Sequence, residues 1–198
     1  MQGDRVIDKR IIVAVTGASG ALYARQTLER LIAADSVGHI ALVCSATALR
    51  TLPFEGVELP VHPKIERFDN DDLFASAASG SARYDAMIVV PCSVGTLGRI
   101  ACGTAQTLIE RAADVMLKER RRLILVLREA PYSLIHLRNM TTVTEAGGII
   151  VPASPSFYSH PSTIGELTLT VVERALSLAG VETPHYEWNK NQELVVRN

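Results

Sequence analysis

Residues 10–34, RIIVAVTGASGALYARQTLERLIAA, decide the fold. A β-branched apolar run, 10–16, ends in the small-residue turn Gly17-Ala18-Ser19-Gly20. Apolar residues then recur at helical spacing from Ala21 onward, so the stretch reads as strand, glycine turn, helix. The same alternation continues outward. A strand at 39–44 leads through Ser45 into a short helix. A Pro- and charge-rich connection, 52–72, holds at most a short edge strand, and DDLFASAAS makes one or two helical turns. DAMIVV, 85–90, is a buried strand that PCSVGTL turns into a helix ending near Ala101. A helix over 107–120, the strand LILVL at 123–127, a helix over 134–145 broken by Gly147-Gly148, a short strand at 149–151 and a helix over 164–179 complete the pattern. Strands alternating with helices, without hairpin signals, predict a parallel sheet covered on both faces: an α/β, three-layer α/β/α sandwich, Rossmann-like or flavodoxin-like. The 198 residues fit one domain, 1–198, with a polar tail over 181–198 that is expected to pack on a neighbouring subunit.

The bulk composition narrows the partners. Twenty basic and 21 acidic residues give a net charge of −1, which argues against nucleic acid or an anionic membrane as the main partner. Hydrophobic residues make up 47% and aromatics only 5%, an aliphatic surplus that points to apolar surface buried between copies. No apolar stretch reaches the ~20 residues of a membrane span, and no leading segment has signal-peptide order, so the chain reads as cytoplasmic. Cys44, Cys92 and Cys102 lack metal-site or disulfide spacing and read as reduced, buried thiols. The five histidines are scattered, so neither a hydrolytic triad nor a zinc site is expected, and no metal is assigned.

In parallel α/β sheets ligands gather at the carboxyl ends of the strands, which places Ser19, Ser45, Ser93 and Arg128 on one rim. The turn 16–20 offers amides and a helix N-terminus suited to a phosphate. It is not GxGxxG and lacks an acidic residue after the second strand, which disfavours a dinucleotide and suits a mononucleotide. Equally, the turn is explained as a plain strand-to-helix connection. The turn Ser93-Val94-Gly95-Thr96 brings two hydroxyls and close backbone to a flat ligand, or simply caps a helix through Ser93. Arg111, Asp114 and Lys118 share one helix face, as a solvated salt-bridge ladder or an anion site. Arg120 to Arg122 fall at that helix's end and face water. Arg128-Glu129 directly follows a strand at the functional rim. Tyr158 and Arg174 carry no signal on their own.

Taken together, TGASGALYA (16–24), ASGSARYDAMIVVPCS (78–93), LIERAADVMLKERRRLILVLRE (108–129), HLRNM (136–140) and the stretch 152–161 resemble the flavin prenyltransferases of the UbiX type. The resemblance spans nearly the whole chain, and RAADVMLKE followed by the Arg-Glu pair is its most specific part. It implies a Rossmann-like flavoprotein forming trimers that assemble into dodecamers, with active sites between subunits. The implied reaction joins reduced FMN and dimethylallyl monophosphate without a metal: flavin N5 displaces phosphate at the prenyl C1, and a bond to C6 closes a fourth ring. The product passes to a UbiD-type decarboxylase.

By the same resemblance, Gly17, Ala18, Ser19 and Ser45 hold FMN, Ser93, Val94, Gly95 and Thr96 border its ring, and Arg128 contacts it. Arg111, Lys118, Glu129, Tyr158 and Arg174 surround the prenyl phosphate, with Lys118, Glu129, Ser19 and Glu55 as catalytic candidates and Trp188 lending an aromatic face. The cations would stabilise the leaving phosphate, and Glu129 would hold or move a proton. The chain departs from the family's common pattern at Ala46 and Gly95, where lysine is frequent, at Gln106-Thr107 in place of Asp-Asn, and at Leu127 in place of proline. The rival readings are a non-catalytic FMN carrier and a flavin-dependent cysteine decarboxylase.

Overall fold

The computed structural model describes residues 8–182. Six strands, β1 (Lys9–Val15), β2 (Val37–Cys44), β3 (Ile65–Phe68), β4 (Ala86–Cys92), β5 (Arg122–Leu127) and β6 (Ile149–Pro152), form one sheet in the order β3-β2-β1-β4-β5-β6. Every pairing is parallel. The helices are α1 (Ala21–Ala33), α2 (Ala46–Phe54), α3 (Val94–Ala101), α4 (Leu108–Lys118), α5 (Leu134–Glu145) and α6 (Ile164–Leu178). DDLFASAAS contributes 3-10 turns at Ser76–Ala78 and, just beyond, Gly80–Ala82.

Side chains alternate across a strand, and both faces of this sheet are apolar. Ile11, Val13 and Val15, with Ile88, Val90, Ile124 and Val126, pack under α1 and α6. Ile12 and Ala14, with Met87, Val89, Leu123, Leu125 and Leu127, pack under α3, α4 and α5. Full burial of each such Ile, Leu or Val contributes roughly 1.5–3 kcal/mol, so a charge at Val13 would disrupt one whole layer.

The sheet order reverses direction between β1 and β4. Chain runs leave β1 toward β2 on one side and toward β4 on the other, which opens a crevice at their carboxyl ends. The register keeps those ends level: Val15 pairs with Cys44, Cys92 with Leu127, and Leu127 with Pro152. Ladder-like bonds extend one residue past each end, from Ser45 N to Val15 O at 2.9 Å and from Arg128 N to Cys92 O at 3.1 Å. Ser45, Ser93 and Arg128 therefore stand on one rim because the strands are in register.

Two expectations are corrected. Arg121 does not face water: its Nη2 donates to Gly80 O at 2.8 Å, because β5 starts at once and pulls the side chain under the 3-10 turns. Cys102 is exposed rather than buried, since it caps the end of α3, whereas burial pushes Cys44 up to about 11 and Cys92 up to about 12. Among the described residues no helix is long and apolar enough to cross a membrane.

Candidate active site

The turn 16–20 is shaped by two glycines. A Cβ at Gly17 would lie 2.3 Å from Thr47 Cγ2, so glycine lets β1's turn touch α2. Gly20 has φ +111°, a left-handed conformation that side chains resist. The turn then starts α1, whose first amides the sequence reading gave to a phosphate. The structure gives two of them to a carboxylate instead: Gly20 N donates to Glu55 at 3.0 Å and Ala21 N at 2.8 Å. Glu55 ends α2, and the closeness of α2 to the turn carries its side chain onto the positive end of α1. Burial alone would raise the Glu55 carboxyl. Bonds from Ala21 N, the Ser19 hydroxyl and Gly20 N, with the charge of Arg128, outweigh it and hold the group below its ordinary range.

Ser45 and Ser93 each cap a helix, accepting from Ala48 N at 3.1 Å and Thr96 N at 3.3 Å. Thr16, which sequence reading passed over, binds the two halves of the rim: its hydroxyl donates to Pro91 O at 2.8 Å and accepts from Ser93 N at 2.8 Å. Arg128 Nε is buried without a hydrogen-bond partner among the described residues. A buried, unmatched guanidinium donor beside small-residue turns is a fit for an anionic or carbonyl-bearing planar ligand. A cavity of about 410 Å³ opens beside this rim, with Cys44, Ala46, Leu49, Phe68 and Thr107 in its wall. Ala46, where the family often has lysine, leaves that wall uncharged at one point.

Gly17, Ala18, Ser19, Glu55, Ser45, Ser93 and Arg128 are thus gathered within one crevice, with Val94, Gly95 and Thr96 opening α3 beside them. Glu129 sits next to it, half-buried, accepting from Ala130 N at 3.0 Å. The proposed phosphate cations are not gathered there. Lys118 ends α4 beside the start of β5 and pairs with Glu119 at 2.5 Å, whereas Glu129 follows the end of β5. At a strand rise near 3.3 Å per residue the two lie about 20 Å apart. Arg111 binds Asp114 at 2.6 Å and Ala78 O at 3.2 Å, so the Arg-Asp-Lys face is one ion pair, with Lys118 turned to another carboxylate. Arg174 is exposed on α6, across the sheet from α4. Tyr158 is 65% exposed in the loop after β6. Trp188 lies outside the described residues, as do 183–198 of the tail.

Sequence reading also missed Arg99 and Glu110. Glu110 is only 3% exposed, takes Arg99 Nε at 2.5 Å, and accepts from Gln106 N at 2.9 Å and Thr107 N at 3.2 Å. The Thr-x-x-Glu spacing of 107–110 was a readable helix-start signature. Its partner was not, because Arg99 is on another helix.

A flavoprotein-type crevice with this connectivity has known counterparts. The Flavoprotein family model matches residues 4–175. The flavin prenyltransferase UbiX of Thermoplasma acidophilum is 44% identical over 175 residues, covering 87% of this chain and 95% of the relative. The chain belongs to the UbiX-type flavin prenyltransferases. Among solved UbiX-type structures, AnUbiX in complex with FMN and dimethylallyl pyrophosphate superposes with a TM-score of 0.81 at 41% identity, covering 91% of this chain and 99% of that one. The dodecameric FMN-dependent UbiX-like decarboxylase of Escherichia coli O157:H7 gives 0.83 at 40% identity, covering 90% and 98%. The fold and the family's sequence pattern therefore coincide in this UbiX-type chain.

Proposed function

We propose that the chain transfers the dimethylallyl group of dimethylallyl monophosphate to reduced FMN, giving prenylated FMN for a UbiD-type decarboxylase. The observation that carries this reading is the identity of about two residues in five, over most of the chain, with proteins named for that activity. Bound reduced FMN supplies the nucleophilic N5 and the carbon C6 that closes the new ring. Ser45 with the start of α2 holds its phosphate, because the α1 amides already serve Glu55; Arg128 offers its unmatched donor, and the turn 93–96 borders the ring. Gly17, Ala18 and Ser19 form the floor.

Arg111, Lys118, Arg174 and Tyr158 bind the donor phosphate and offset the charge it gains on leaving. Glu129 carries a proton at that phosphate's oxygen and takes one back as the ring product forms. One copy alone keeps Lys118 and Glu129 at opposite ends of β5. The donor site is therefore completed between copies, in a trimer that assembles further, which also covers the exposed apolar residues Leu134, Ile135, Phe157 and Ile164. Among the described residues no three His, Cys, Asp or Glu side chains group to hold a metal.

Anaerobic incubation with reduced FMN and either the monophosphate or the diphosphate donor, followed by flavin mass measurement, tests the reading. A gain of one C5H8 unit is expected. FMN retained but unmodified with both donors would overturn it in favour of a carrier. Glu129→Gln separates the two again, lowering turnover at nearly constant FMN affinity in an enzyme and changing neither in a carrier.

A further inference from the structure

The pair of half-exposed Arg99 with buried Glu110 is a charge arrangement that the proposed reaction leaves without a role. Its hydrogen bonds run into the turn that borders the flavin. Arg99 Nη2 donates to Thr96 Oγ1 at 3.2 Å, and Thr96 Oγ1 stands 3.1 Å from Ser93 Oγ. Ser93 Oγ also accepts from Thr96 N at 3.3 Å, while Ser93 N donates to Thr16 Oγ1 at 2.8 Å. The guanidinium passes close to the turn's backbone: a Cβ at Gly95 would lie 3.4 Å from Arg99 Nη1, ordinary contact distance. The Arg99 side chain leans toward the start of α3, as helical side chains do, so its charge reaches the rim from the helix's last turn.

The chemistry gives this chain a direction. A carboxylate only accepts and a guanidinium only donates, so Thr96 Oγ1 receives its first bond from a cation. An oxygen accepting from a cation is polarised toward donating its own hydrogen. Thr96 then donates to Ser93 Oγ, whose second lone pair takes Thr96 N. With both lone pairs used, the Ser93 hydroxyl is left as a donor facing the crevice.

We infer that Arg99, aimed by Glu110, is a positioning residue that fixes Ser93 as a hydrogen-bond donor to the ring of FMN and so favours the electron-rich reduced flavin over the oxidised one. This rests on the reading that the turn 93–96 borders FMN. Arg99 touches no substrate; it acts through Thr96 and Ser93.

The test is the affinity of the intact protein for FMN in each redox state, by anaerobic fluorescence titration, for the wild type and Arg99→Gln. The variant is expected to bind reduced FMN about tenfold more weakly while oxidised FMN changes less than threefold. In a Ser93→Ala background, Arg99→Gln is expected to add little, because both changes remove one bond. Equal loss in both redox states, no loss, or additive losses would overturn the inference. Should Arg99→Gln fail to fold, Thr96→Val cuts the same link while leaving Glu110 paired, and the same outcomes apply. Mass measurement of wild-type product is read separately: FMN bound without prenyl transfer sinks the proposed reaction and leaves the Arg99 result to stand or fall on its own, whereas a wild type that binds no FMN sinks both.

Discussion

Glu55 shows how one side chain takes over a site that a sequence motif advertises. The turn 17–20 carries amides at a helix start, and a carboxylate ten residues beyond Ser45 reaches them before any ligand does. Glu55→Gln should lower stability by about 1 kcal/mol, since one partly exposed, charge-assisted acceptor is lost; urea denaturation measures it. The pH dependence has a definite sign. The folded-state carboxyl is held below its ordinary value of 4.5. Its contribution is therefore complete above that value and is lost as pH falls through the lower folded-state value. A wild-type minus Glu55→Gln difference that shrinks in that acid window is the expected result; a difference flat from neutral pH to strong acid would remove the role assigned to Glu55. Arg128→Gln should weaken FMN binding about tenfold by equilibrium dialysis, because a buried donor is withdrawn from its ligand.

Among the elements, α3 and α4 are tied to each other and to the rim by Glu110. Glu110→Ala would leave the Gln106 and Thr107 amides without their acceptor and the half-exposed Arg99 guanidinium without its carboxylate, at a cost of about 2 kcal/mol, read from the shift in denaturation midpoint. Gly17→Ala should cost about 1–3 kcal/mol by forcing α2 off the β1 turn. Almost every element was legible because its signal is local. The α5 reading, 134–145, coincides with the observed Leu134–Glu145, set by Ser133 at its start and Gly147 past its end. The 4-residue β3, Ile65–Phe68, was readable only as a possible edge strand, since its pattern is too short to show a period.

For the whole molecule, the prediction concerns copies rather than residues. If Lys118 of one copy serves Glu129 of another, Lys118→Ala and Glu129→Gln proteins are each inactive but regain activity when unfolded and refolded together. Random mixing makes about a quarter of two-copy sites fully wild type, so about a quarter of wild-type turnover is expected. No recovery would place both residues in one copy's site or remove one from it. Ile135→Asp, on the exposed face of α5, should shift the assembly toward smaller species in sedimentation and lower turnover with it.

Sequence by itself determined the alternation of strands and helices, the two apolar faces of the sheet, the rim on which Ser45, Ser93 and Arg128 stand, and the family. Each follows from residue type and spacing along the chain, and parallel strands in register turn that spacing directly into position. Tertiary structure alone decided that Glu55 holds the α1 amides, that Arg99 and Glu110 brace Thr96, that Lys118 lies away from Glu129, and that Arg174 lies across the sheet from Lys118. Those are distances between residues on different elements, set by how α2, α3, α4 and α6 dock on the sheet, and no periodicity along one segment encodes them.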